Sequence, residues 1–235
     1  MGKRFEYDQV VYDQIVRDFK EMSKLTIDQL EILEEIITHP ENKLSDEKMN
    51  LFLSNEERLD ELEVIVSNEI VDTLVLHQPA ATDLRMVISI QRIVLNLERI
   101  GDLVVNIVNF IDQMEEKTLP SKYAEPISVM LSICINMVKK ALKSFEDLDK
   151  DYAIWAIKND EVVDDLFRTS LKKIINRSQI QDDVKELFFE FVNVNNIISN
   201  VERIGDKATN IAEASIYYMK GIDLRHSDID VDKID

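Results

Sequence analysis

Acidic side chains recur in this chain at a spacing that suits cation binding. Glu98 and Asp102 bracket the segment Glu-Arg-Ile-Gly-Asp, and the same five residues return at Glu202 to Asp206. An asparagine follows each copy four residues on, Asn106 and Asn210. Two further pairs, Glu56/Asp60 and Asp160/Asp164, keep the same offset of 104 residues. On a helix, positions four apart lie roughly 40° round the axis and about 6 Å along it. Glu98, Asp102 and Asn106 therefore form one oxygen-bearing ridge, and Glu202, Asp206 and Asn210, with Glu213, form another. Glu56, Asp60 and Glu63 line a third, and Asp160 and Asp164 a fourth. Carboxylates brought together repel unless they are solvated, protonated, paired with a base or occupied by a cation. Oxygen ligands of this kind suit Mg²⁺, Mn²⁺, Fe or Zn²⁺. The alternative is a solvated acidic face, because Glu98 and Asp102 fall on the helical wheel with Gln91, Arg92, Arg99 and Asn109, opposite Ile93, Ile100, Val104 and Ile107.

One long offset shared by four acidic pairs means internal duplication, and the core repeats with it. Shifting by 104 residues aligns Ile93 with Ile197, Val94 with Ile198, Leu97 with Val201 and Ile100 with Ile204. Apolar residues follow the helical period almost throughout, without strand-like alternation. A first helix carries Val16, Phe19, Met22, Leu25, Ile27, Leu30, Leu33, Ile36 and Ile37, and ends near His39-Pro40, since proline cannot continue it. Ser45 with Asp46 and Glu47 opens a second helix running to about His77. A third carries Leu84, Val87, Ile90, Ile93, Leu97, Ile100, Val104, Ile107 and Ile111. The stretch from Lys117 to Pro126 holds two of the four prolines and divides the halves. A fourth helix runs from there to Leu148, Asp149 to Asp151 cap a fifth, and Ser178-x-x-Gln181 begins a sixth that Gly221 ends. The expectation is all-α: two tandem three-helix bundles, residues 1–118 and 123–221, joined end to end or side by side, with an acidic tail at 222–235. Gly101 and Gly205, each mid-helix inside a motif, imply that a neighbouring helix or an ion comes close to the backbone.

Composition narrows the function. A net charge of −18 disfavours a nucleic-acid backbone or an anionic membrane as partner and favours cations or basic protein surfaces. The single cysteine, Cys134, excludes an internal disulfide and reads as a buried core thiol. No signal pattern or membrane-spanning run stands out, so a cytoplasmic protein is expected. The three histidines, His39, His77 and His226, fall at helix ends or in the tail, and none forms the Glu-x-x-His of a carboxylate-bridged di-iron bundle. There is no Gly-rich phosphate loop and no nucleophile–base constellation, so no catalytic residue is expected and a metallohydrolase is the least supported reading. Trp155 reads as core.

The doubled Glu-Arg-Ile-Gly-Asp motif resembles that of the PhoU family, the phosphate-uptake regulators of bacterial phosphate signalling. Gln78-Pro79-Ala-Ala-Thr-Asp83-Leu84-Arg85, Asp160-Glu-Val-Val-Asp164 and the ending Tyr217-Tyr-Met-Lys-Gly-Ile-Asp-Leu-Arg-His226 add to the resemblance, which spans almost the whole chain. It implies two similar three-helix bundles and a non-enzymatic negative regulator of the phosphate-starvation response. Such a regulator links a phosphate ABC transporter to a membrane-bound sensor histidine kinase. It also implies metal ions on Glu56, Asp60, Glu98, Asp102, Asp160, Asp164, Glu202 and Asp206, and a homodimer. The second half has no close copy of the Gln-Pro…Asp-Leu-Arg segment, so the two acidic patches need not be equivalent. A metal-binding or metal-buffering helical protein is the competing function.

Overall fold

The computed structural model describes residues 2–39, 43–114, 116–177 and 184–225. Six helices account for nearly all of them: α1 (Gly2–Thr38), α2 (Asp46–Leu76), α3 (Thr82–Asp112), α4 (Ser121–Asp147), α5 (Lys150–Arg177) and α6 (Val184–Lys220). Among the described residues there is no strand. The expected capping box at Ser178 to Gln181, the tail from His226 onward and Pro40 lie outside the described residues.

Local chemistry explains most helix ends. The Ser45 side chain accepts the Lys48 N–H at 3.2 Å, and Asp46 and Glu47 fill the first turn of α2, favourable to its dipole. Asp149 Oδ1 accepts the Asp151 N–H at the start of α5. Gly221 takes φ +71 just past α6 and its N–H closes on Tyr217 O, a left-handed cap that suits glycine. One boundary differs from the sequence expectation. Helix α4 starts at Ser121, so Pro126 lies inside it rather than ahead of it. Five residues into the helix, proline removes only one early N–H bond, and the buried residues Tyr123, Ala124 and Ile127 hold the first turns on the core.

The two helix triplets pack side by side. Helix α3 lies antiparallel to α6, tied by Ser89 Oγ donating to Ala214 O and Asn210 Nδ2 donating to Asn96 Oδ1. Helix α1 crosses to α4, where Phe19 meets Phe145 edge-on at 5.3 Å and Lys139 reaches Glu31 at 2.7 Å. The aligned core positions Ile93, Val94, Leu97, Ile100, Ile197, Ile198, Val201 and Ile204 are all fully buried, each such side chain contributing about 1.5–3 kcal/mol. Leu84 is the exception among the third-helix positions, at 38% exposure, because the core face of α3 begins only at Val87. Cys134 is buried, and burial pushes its thiol up. Trp155 packs half-buried against the core and presents a face to Lys140, whose Nζ sits 3.7 Å from the ring centroid. No described helix is long and apolar enough to cross a membrane.

Candidate functional site

The second and third helices of each triplet carry the acidic motifs, and the motif glycine sets how closely those two helices pack. A Cβ on Gly101 would lie 2.7 Å from Leu59 Cδ1 of α2, inside contact distance. A Cβ on Gly205 would lie 3.3 Å from Val163 Cγ1 of α5. Both glycines therefore admit a helix rather than an ion. Behind Gly101, the fully buried Gln29 of α1 donates to Phe52 O, while its Oε1 accepts nothing from the described residues.

This close approach brings the ridges of α2 and α3 together. One carboxylate oxygen each from Glu56, Asp60 and Asp102 lies within 4.8 Å of the others. Glu98 adjoins them. Burial raises its carboxyl above the ordinary range, and the charges of Asp102 and Asp60 raise it further. Burial likewise raises Asp102, helped by Asp60 and opposed by Arg99, and raises Glu56, helped by Asp60 and Asp102. Glu63 accepts a hydrogen bond from Ser67, which in turn receives one from Gln91 of α3, and its charge also raises Glu98. Glu56, Glu63, Glu98 and Asp102 are half-buried, and Asp60 is exposed at the mouth. Half-buried carboxylates whose nearest base, Arg99, acts on them only at a distance are not an ordinary solvated face. They can be relieved by a cation, and three oxygens at this separation fit one small divalent or ferric ion after slight closure. Asn106 is exposed on the next turn.

The α5–α6 patch has the matching carboxylates, with Asp160 in place of Glu56, in a different state. Thr209 Oγ1 donates to Asp160 Oδ1 at 3.1 Å, and Arg168 Nη2 reaches Asp164 Oδ2 at 3.1 Å. Burial raises Asp160, Glu202 and Asp206, while Lys207 and Arg203 pull Asp206 back down. Asn210, one residue past Thr209, donates across the seam to Asn96 of α3 and so serves the junction between triplets. Sequence reasoning passed over Thr209 and Arg168. The second was legible, since it stands four residues after Asp164 on one helix face.

The Gln78–Arg85 segment also finds a role. Arg85 Nε donates to Tyr218 O at 3.4 Å and its Nη2 donates to Thr82, so it clamps the end of α6 to the start of α3.

A PhoU domain model matches residues 19–111 and again 127–215. The phosphate-specific transport system accessory protein PhoU homolog of Pseudomonas putida is 34% identical over 172 residues, covering 73% of this chain and 66% of that protein, just under two thirds of its length. The homolog of the same description from Clostridium acetobutylicum is 28% identical over 224 residues, covering 93% of this chain and 95% of that one. Among solved structures, PhoU from Pseudomonas aeruginosa superposes with a TM-score of 0.82 at 25% identity, over 91% of this chain and 99% of that one. The phosphate transport system regulatory protein PhoU from Streptococcus pneumoniae shares the fold, with a TM-score of 0.78 at 22% identity over 92% and 99%. With a match in each helix triplet and the motif glycines and carboxylates at the heart of both, this chain belongs to the PhoU family and consists of two PhoU domains in tandem.

Proposed function

We propose that this chain is a non-enzymatic regulatory adaptor of phosphate uptake. It represses the phosphate-starvation response when phosphate is plentiful by joining a phosphate ABC transporter to a sensor histidine kinase at the cytoplasmic face of the membrane. The observation that carries the reading is the match of both domains to a family whose similar members are named as accessory proteins of phosphate transport. The surface supports it. Val64, Val71 and Val75 lie 55%, 56% and 66% exposed along one face of α2, flanked by Glu57, Glu61 and Asp72. An apolar stripe with an acidic border suits a partner helix with basic flanks better than a second like-charged face. Homodimerisation belongs to the same proposal and would use another surface.

A second reading, metal binding or buffering as the main task, is favoured by the three converging oxygens of Glu56, Asp60 and Asp102. In the adaptor reading, the same ion would neutralise the patch that borders the α2 stripe. In a bacterium lacking its own copy, a phosphatase reporter should be derepressed in rich phosphate and silenced when this chain is supplied. A well-expressed chain that leaves the reporter on would sink the adaptor reading and leave the metal reading standing.

A further inference from the structure

We infer that the seam between the two domains holds a site for a small phosphate-type oxyanion, in a cleft of about 230 Å³ between α3 and α6. One wall is a ridge of α3, where Arg92, Asn96 and Arg99 follow one another at helical spacing. The other is Asn210 and Glu213 of α6, closed by Arg225 from the segment after α6. Three guanidiniums around so small a space stand against the trend of a chain with net charge −18. Arginine is the side chain whose planar fork matches tetrahedral oxyanions. Arg92 and Arg99 are about 10 Å apart along the helix axis, a span two arginine side chains can close over Asn96 between them.

Part of the cleft already works as an anion holder. Arg92 Nη2 donates to Asp223 Oδ2 at 3.3 Å while its guanidinium lies 4.4 Å from the centre of the Tyr217 ring. Arg225 grips the same carboxylate through two nitrogens, at 2.9 and 2.6 Å. These bonds fix two of the three guanidiniums before any ligand arrives, which lowers the ordering cost of binding. Asn96 is fixed too, donating to Arg92 O at 2.7 Å and accepting from Asn210. Arg99 differs. It is exposed and donates no hydrogen bond among the described residues, its charge acting only at a distance on Glu98 and Asp102. It is the donor left for an incoming anion.

The acid in the wall sets the selectivity. Phosphate near neutral pH keeps a hydroxyl and can donate to the Glu213 carboxylate, which only accepts. Sulfate has no proton to offer and cannot make that bond. The corresponding position in the second repeat cannot do the same, since Asn196 stands where Arg92 does. This inference deepens the proposed function and rests on it only for its biological meaning, as a regulator that reads phosphate directly.

Equilibrium dialysis of the full chain with labelled inorganic phosphate, after chelator treatment, tests it. One phosphate per chain should bind, with sulfate competing at least tenfold more weakly. Arg99→Gln should weaken binding at least tenfold without moving the thermal melt, Arg92→Gln should weaken it as much while lowering the melt through loss of its Asp223 and Tyr217 contacts, and Glu213→Gln should let sulfate compete. No phosphate bound at 10 mM, or unchanged binding in the folded Arg99→Gln variant, overturns the site. Binding that survives both arginine changes but disappears in Asp60→Asn, Asp102→Asn also overturns it, by placing phosphate at the acidic patch. A chain that silences the reporter yet binds no phosphate in dialysis loses this site and keeps its regulatory function.

Discussion

The two acidic patches descend from one ancestor, yet they solve the same electrostatic problem differently. Both gather four half-buried or rim carboxylates between a pair of helices held close by a glycine. In the second patch the chain supplies its own relief, through Arg168 on Asp164, Thr209 on Asp160 and Lys207 beside Asp206. The positions 104 residues earlier are Val64, Val105 and Leu103, which offer neither charge nor hydroxyl. The first patch is thus left with carboxylates facing carboxylates, and three of its oxygens converge within 4.8 Å. Duplication kept the acids in both halves but left those of the first with less relief from the chain's own side chains.

The largest expected effect follows from that difference. Asp60→Asn with Asp102→Asn should lower divalent-metal affinity on the order of 100-fold or more, since direct ligands matter at least as much as the groups behind them. Asp164→Asn with Asp206→Asn should leave the tighter site in place. Metal content by mass spectrometry on natively purified protein, with titration calorimetry on chelated protein, measures both. Equal losses from the two double variants would erase the contrast between patches.

A transplanted base sharpens the comparison. Val64→Arg should give Asp60 the partner that Arg168 gives Asp164. A guanidinium about 6 Å from a divalent ion in water costs roughly 1.4 kcal/mol, about tenfold in affinity. Arg168→Val should move the second patch the other way. If Val64→Arg binds metal as tightly as the parent, the local base is not what separates the patches.

How far these contrasts could be read from sequence depends on the range of the interaction. Helix limits followed from residues acting on their neighbours, such as the Ser45 cap and Gly221, and the duplicated core showed as a fixed offset. Pro126 misled because its position inside α4 is decided by Tyr123, Ala124 and Ile127 docking on the core rather than by the local chain. The acidic residues were legible as ridges, and Arg168 was within reach of the four-residue rule. Thr209 on Asp160, Asn210 on Asn96 and Arg85 on Tyr218 join residues 49, 114 and 133 positions apart, and no local pattern announces them. For the same reason Asn106 and Asn210, equivalent in sequence, part company: one is exposed and the other is taken by the seam.

The motif glycines separate the domains by a smaller amount. Alanine gains about 1 kcal/mol of helix propensity over glycine. At Gly101 the new methyl must displace the fully buried Leu59, and overpacking of that kind costs about 1–3 kcal/mol. Gly101→Ala should therefore be destabilising by about 1 kcal/mol net and should spread α2 from α3, weakening metal binding as well. Gly205→Ala, with Val163 at 3.3 Å, should be close to neutral. Chemical denaturation of the metal-free variants reads the difference, and equal costs would mean that the two helix pairs are equally tight.

The smallest effect is the response to pH, and its sign tests whether the carboxylates are strained or satisfied. Glu56, Glu98, Asp102, Asp160, Glu202 and Asp206 are all raised, burial being the first cause in each. A carboxyl raised by folding binds more protons folded than unfolded between its ordinary value and its raised one, so stability falls as pH rises through that window. Asp223, lowered by its arginines, works in the opposite sense, but its contribution is lost only as pH falls below the ordinary carboxylate range. Metal-free protein should thus melt higher near pH 5 than near pH 7.5. Solvent screens these half-exposed groups, so the gain is small. Asp60→Asn with Asp102→Asn should flatten part of that slope. Metal reverses the sign, because protons compete with the ion for the same oxygens. At a hundredfold excess over its dissociation constant an ion adds about 2.7 kcal/mol, and that increment should fade on acidification. A metal-free protein that instead loses stability between pH 7.5 and 5 would mean that these carboxylates already have partners, and that the first patch resembles the second after all.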